Sequence, residues 1–135
     1  MNRIEALLVS AALFLVTSTA YAAMNHIRVP LESNANSGIS GFVQLTQLPK
    51  GGANVVMNIE GLEPGSSYST FYYESDDCSA PAAPILSFVA DKNGKATVHG
   101  KIDADLDVVG SLSVRVGPEF GNLLACGYVH SQNRK

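Results

Sequence analysis

The chain of 135 residues has no tryptophan, two cysteines and three histidines. Charged residues make up 16% of it, below the ~25% usual for soluble domains. Each scarcity excludes something. Two cysteines cannot build a disulfide-dense miniprotein or a multi-cysteine zinc site. Nine basic side chains against twelve acidic ones leave a net charge of −3, so the basic stripe of a nucleic-acid binder is missing. No apolar run reaches the ~18 residues of a membrane-spanning helix. There is no Gly-x-Ser-x-Gly elbow, no phosphate loop and no Cys/His nucleophile pairing. Internal repeats and low-complexity tracts are absent. The 46% hydrophobic share still supplies a core, and the length suits one domain.

Residues 1–22 read as a secretory signal peptide. Arg3 gives a short positive start, Ala6 to Val16 an apolar stretch, and Ala20-Tyr21-Ala22 a small-residue cleavage pattern. The apolar stretch spans ~16 Å as a helix, too short for a ~30 Å hydrocarbon core. An uncleaved anchor or a buried helix is the competing reading. Cleavage near Ala22 leaves a mature domain of residues 23–135, expected to be periplasmic or secreted and to carry no membrane span. Export to an oxidising space favours one bond between Cys78 and Cys126. Two free thiols or a redox pair are the alternatives.

The mature segment shows period-2 alternation broken by turn residues. Ile39, Val43 and Leu45 share one face; so do Val55, Met57 and Ile59. Ser67 to Glu74 is rich in aromatics and hydroxyls, and Ile85 to Ala90 is a short apolar run. Asp91-Lys92-Asn93-Gly94 reads as a hairpin turn, since Asn-Gly accepts positive φ. Lys95 to Ile102, Ser111 to Val116 and Leu124 to Tyr128 complete the series. No segment has a 3.6-residue period. The expectation is all-β: an antiparallel Greek-key sandwich or flattened barrel of seven to eight strands, immunoglobulin-like in appearance, behind a signal-peptide helix.

Four motifs carry a family likeness. Gly61-Leu62-Glu63-Pro64-Gly65 leads into the aromatic strand and then Asp76-Asp77-Cys78-Ser79. Val89 to Ala96 forms an Ala-Asp-x-x-Gly hairpin. Val109-Gly110-Ser111-Leu112-Ser113-Val114 comes next, followed by Gly121 to Val129 with its Leu-Ala-Cys-Gly core. Taken in this order they resemble the copper/zinc superoxide dismutases, over about residues 39–129. The resemblance implies a Greek-key barrel with an intrasubunit disulfide at the two cysteine positions. A weaker resemblance is to the chordin-repeat (CHRD) domain, which often carries an Ala-His-Ile-His strand; that strand is absent here.

The departures from the dismutase pattern matter more. Counted without gaps from Gly61, the family's His-x-His copper pair falls on Thr70 and Tyr72. The fourth copper histidine falls near Arg115 or Val116. The family's substrate-guiding arginine corresponds to Leu123, and its zinc loop shrinks to Ser79–Pro84. Copper cycling calls for imidazoles, which these positions lack. His26, His99 and His130 do not pair at ligand spacing, and His99 alone is kept as a weak metal candidate. The reading is therefore a dismutase-like domain without the copper/zinc site, acting as a non-catalytic binding or structural envelope protein. It needs no cofactor, and its partner is a protein or small molecule. The alternative is a diverged dismutase or other metalloenzyme with a non-standard site.

Tyr68, Tyr72, Tyr73 and Glu74 are the candidate binding patch, against a reading in which one side of that strand is core. Exposure of Phe42, Val56 or Tyr73 would allow a homodimer. Glu74, Asp76 and Asp77 read as a solvated loop. Asp103, Asp105 and Asp107 lack the glycine and distal glutamate of a calcium loop.

Overall fold

A computed structural model describes residues 25–130. The signal-peptide reading of residues 1–22 and its cleavage site lie outside them. Eight strands follow one another: β1 His26–Ser33, β2 Ser40–Gln47, β3 Ala53–Glu60, β4 Ser67–Tyr73, β5 Ala82–Val89, β6 Ala96–Ile102, β7 Ser111–Val116 and β8 Leu123–Tyr128. All pairings are antiparallel, and the sheet order is β5-β4-β7-β8-β1-β2-β3-β6. The non-sequential pairs β3–β6 and β4–β7 make the connectivity a Greek key. The expected all-β, eight-stranded architecture is what the chain adopts, and no helix occurs among the described residues.

The sheet curls into a nearly closed barrel of two halves. One half is β1-β2-β3-β6 and the other is β8-β7-β4-β5, joined where β1 pairs with β8. The two sheet ends, β5 and β6, meet without a hydrogen-bonded ladder. Gly100 on β6 makes their approach possible, because a Cβ there would stand 2.7 Å from Ile85 Cγ2. Gly41 on β2 serves the pairing with β3. It sits at φ 140°, and a Cβ would fall 1.8 Å from the Asn58 carbonyl oxygen, which no other residue tolerates.

Alternation decides which side chains fill the barrel. Val29 and Leu31 from β1, Val43 and Leu45 from β2, and Val55, Met57 and Ile59 from β3 are buried inside. Val98 and Ile102, Leu112 and Val114, and Ala125 complete the lining. The outward residues of β1, β2, β3 and β6 remain exposed or half-buried. β4 differs: Tyr68 and Thr70 enter the main core, while Phe71 and Tyr73 enter a second cluster with Cys78 and Cys126. A strand buried on both faces can carry apolar bulk without alternation.

Two strands depart from the expectation. β1 is one that the sequence reading leaves unmarked. Its inward Ile27, Val29 and Leu31 alternate correctly, but Pro30 and the charged neighbours disguise it. β5 starts at Ala82 rather than Ile85, because Ala82 and Ala83 pair with Tyr73 and Tyr72.

Candidate functional site

The second cluster lies on the outer face of β4, β7 and β8, and the loop of residues 74–81 is folded over it. The disulfide Cys78–Cys126 fastens that loop to β8. It closes a segment whose ends are 48 positions apart, for which chain-entropy reasoning gives about 4 kcal/mol. Cys78 adopts a left-handed conformation at φ 58°. Its N–H donates to Ser111 Oγ at 2.8 Å, and its carbonyl accepts from Arg115 Nη2 at 3.2 Å. Ser111 Oγ in turn donates to the Ser75 carbonyl at 2.8 Å.

Strand alternation puts Ser111, Ser113 and Arg115 of β7 on this one face, beside Phe71 and Tyr73 of β4. The Tyr73 hydroxyl shares a 2.7 Å hydrogen bond with Ser113 Oγ and accepts from Arg115 Nε at 3.0 Å. Tyr73 is 1% exposed and Ser113 0%, so each hydroxyl needs its partner. Arg115 also donates from Nη1 to the Gly121 carbonyl at 2.9 Å and stacks 3.8 Å from the Phe120 ring centroid. Among the described residues this guanidinium contacts only neutral groups.

A second cover comes from residues 117–122, between β7 and β8. Ser69 Oγ donates to the Glu119 carbonyl at 2.7 Å, and Ser87 Oγ to the Pro118 carbonyl at 3.0 Å. With the Arg115 bond, three sheet side chains grip three loop carbonyls. Phe120 packs edge-on against Phe71, with ring centroids 4.9 Å apart, while remaining 49% exposed.

The residues singled out by sequence fall in different places. Thr70 and Tyr72 point toward the barrel interior. Thr70 is fully buried; its hydroxyl donates to the Leu86 carbonyl at 2.9 Å and accepts from Leu86 N–H at 3.2 Å, beside the register shift between Thr70 and Phe71. It repairs a bulge. Val116 ends β7 at 44% exposure with no polar partner to offer.

The four patch residues do not make one surface. Tyr68 and Tyr73 are buried on opposite faces of β4, Tyr72 is half-buried against the core, and only Glu74 is exposed. Alternation separates residues 68 and 73, and the loops cover the face that composition suggests would be open. Tyr68 spends its hydroxyl on Glu63 N–H at 2.8 Å. Tyr73 therefore offers no dimer contact, while Phe42 and Val56 are half-buried on the opposite half-barrel.

The histidines are apart. His26 Nδ1 lies 3.0 Å from Thr46 Oγ1, and His130 Nδ1 lies 2.9 Å from Asp76 Oδ1. His99 is exposed on β6 opposite Val56. Among the described residues no cluster of three potential ligands forms. The copper and zinc that the resemblance implies do not fit the residues present. The counted positions offer a bonded hydroxyl and a half-buried phenol pointing inward. The outer face one position along offers Phe71, Tyr73 and a guanidinium. Neither set contains an imidazole.

Loops carry two perturbed carboxyls. Ser79 hydrogen bonding holds Asp77 below the ordinary carboxylate range. The Gln47 side chain, then Gly52 N–H, does the same for Asp105, whose Oδ1 accepts from them at 3.0 and 2.8 Å. Gln47 Oε1 closes the latch by accepting from Leu106 N–H at 2.8 Å.

Sequence reading missed the Ser111–Ser113–Arg115 row. Its signal was present: three polar residues at period two, on a strand beside the one that bears a cysteine.

No family model and no curated protein matches the chain. Among solved structures, the crystal structure of the clock protein EA4 is similar, with a TM-score of 0.58 and 17% identity. The match covers 77% of this chain and 92% of that one. At this identity the likeness speaks for the fold alone.

Proposed function

We propose that this chain is an exported, superoxide dismutase-like β-barrel without the copper/zinc site, serving as a non-catalytic binding or structural protein of the cell envelope. The observation that carries the reading is the state of the outer face of β4, β7 and β8. Two loops cover it, a disulfide fastens one of them, and a hydroxyl–guanidinium network fills the space beneath. Side chains that satisfy one another in this way hold a face shut, and none of those in the network is an imidazole. The disulfide is consistent with a periplasmic or secreted location.

The test is direct. The mature protein is purified from a periplasmic fraction, loaded with copper and zinc, and dialysed. Bound metal is then quantified and superoxide removal is assayed. The expected result is substoichiometric metal and no catalytic removal. Stoichiometric copper with catalytic turnover overturns the proposal.

A further inference from the structure

The opposite half-barrel presents a different surface. The register of β1, β2, β3 and β6 places their outward side chains in rows that run across the strands. One row is His26, Thr46, Asn54 and Lys101. The next is Arg28, Gln44, Val56 and His99. No described segment covers either row.

Nitrogen bases thus stand at the four corners: His26 and Arg28 on β1, His99 and Lys101 on β6. Three strand spacings separate the two columns by ~14 Å, and two residues along a strand separate the rows by ~7 Å. Hydrogen-bonding groups lie between the columns. The Gln44 and Asn54 amides have no hydrogen-bond partner among the described residues. A shallow groove of about 430 Å³ runs beside Asn54, Val56, His99 and Lys101.

Charge completes the picture. Neither row contains an acid, although the protein as a whole is acidic. Among the described residues neither Arg28 nor Lys101 has a carboxylate within 4.0 Å, the one such pair being His130–Asp76. Glu32 and Glu60 stand at the far end of the face. Beyond Lys101, Asp103 stands exposed at the near end, and Asp105 turns its carboxylate to Gln47 and Gly52. Arg28 is held in place 3.7 Å from the Phe42 ring centroid.

We infer that these two rows bind an acidic polysaccharide, a chain of sugars bearing carboxylate or sulfate groups. Amides between two cationic columns suit hydroxyl-bearing rings whose acidic groups reach outward to Arg28 and Lys101. A lipid surface would need exposed apolar anchors, and Val56 is the one apolar side chain in these rows. The inference rests on the non-catalytic binding role proposed above and names the ligand class for it.

The experiment titrates the mature, oxidised protein with polygalacturonate oligosaccharides and with dextran sulfate, using neutral dextran as the control. Saturable binding to at least one acidic chain, none to neutral dextran, and weakening as salt is added are expected. Arg28→Glu/Lys101→Glu lowers the affinity at least about tenfold, while Lys92→Glu on the remote hairpin leaves it unchanged. Both variants are checked for native circular dichroism and an intact disulfide. Equal binding to neutral dextran overturns the inference, and so does wild-type affinity in the double variant. Binding to anionic vesicles in place of both acidic chains overturns it in favour of a membrane. Self-association abolished by the double variant, without glycan binding, overturns it in favour of a second copy. None of these outcomes touches the metal and superoxide assay, so the two proposals fail separately.

Discussion

Tyr73→Phe is the sharpest test of the closed face. The substitution removes one oxygen atom and leaves the ring. That oxygen accepts from Arg115 Nε at 3.0 Å and shares a 2.7 Å bond with Ser113 Oγ. Both Tyr73 and Ser113 are out of reach of water, at 1% and 0% exposure. Leaving a buried polar group without a partner costs about 1–3 kcal/mol, and two groups lose a partner here, one of them on a half-buried guanidinium. We expect about 2 kcal/mol. Ser113→Ala alone removes one bond and leaves Tyr73 paired with Arg115, so about 1 kcal/mol is expected. In the Tyr73→Phe background the Ser113 hydroxyl is already unpaired, and deleting it costs almost nothing further. The double variant should match Tyr73→Phe, giving a coupling of about 1 kcal/mol. Urea unfolding of the oxidised protein, with equal m-values across the four species, measures it. Additivity within about 0.5 kcal/mol, or a neutral Tyr73→Phe, would refute the account of a mutually dependent network.

Thr70→Val keeps shape and removes the hydroxyl that bonds both the N–H and the carbonyl of Leu86, so a loss of about 1–3 kcal/mol is expected in the same assay. The Asp105 carboxyl is held low in the folded chain by Gln47 and Gly52 N–H. Its stabilisation is therefore complete above the unfolded value of about 3.9 and is lost as pH falls through the folded value. Thermal melts between neutral and strongly acidic pH should show a shallower acid decline in Asp105→Asn than in the wild type, and identical slopes would sink this linkage.

The fold was largely legible because seven strands announce themselves by alternation or composition. Val55-Met57-Ile59 and Leu112-Val114 read as inward rows, and they are the core. β1 escaped because Pro30 interrupts a run whose outward side is charged, and it is held by pairing with β2 and β8 rather than by its own propensity. The tyrosines of β4 misled for a physical reason. Alternation tells two faces apart but cannot say that loops will cover the outer one. What covers Tyr73 is Cys78, 5 positions on in sequence, carried there by a disulfide to a distant strand. The Arg28–Lys101 surface was equally hidden, since its columns are separated by more than seventy positions and meet only through three strand registers.

Parity constrains any attempt to read a metal site into this barrel. Side chains on a strand change face with every residue, so a one-residue slip moves an entire ligand set from one side to the other. Histidines placed at Thr70 and Tyr72 would enter a core that already holds Leu112 and Val114 across the strand pair. Each would have to exclude an apolar neighbour and find a partner in dry surroundings. Placed at Phe71 and Tyr73 they would reach the outer face, but only by removing the ring under Phe120 and the hydroxyl that holds Arg115. Either route dismantles a packing arrangement first. Two substitutions therefore cannot restore a copper pair here, because the interior parity is occupied by the barrel core and the exterior parity by the network that closes the loops.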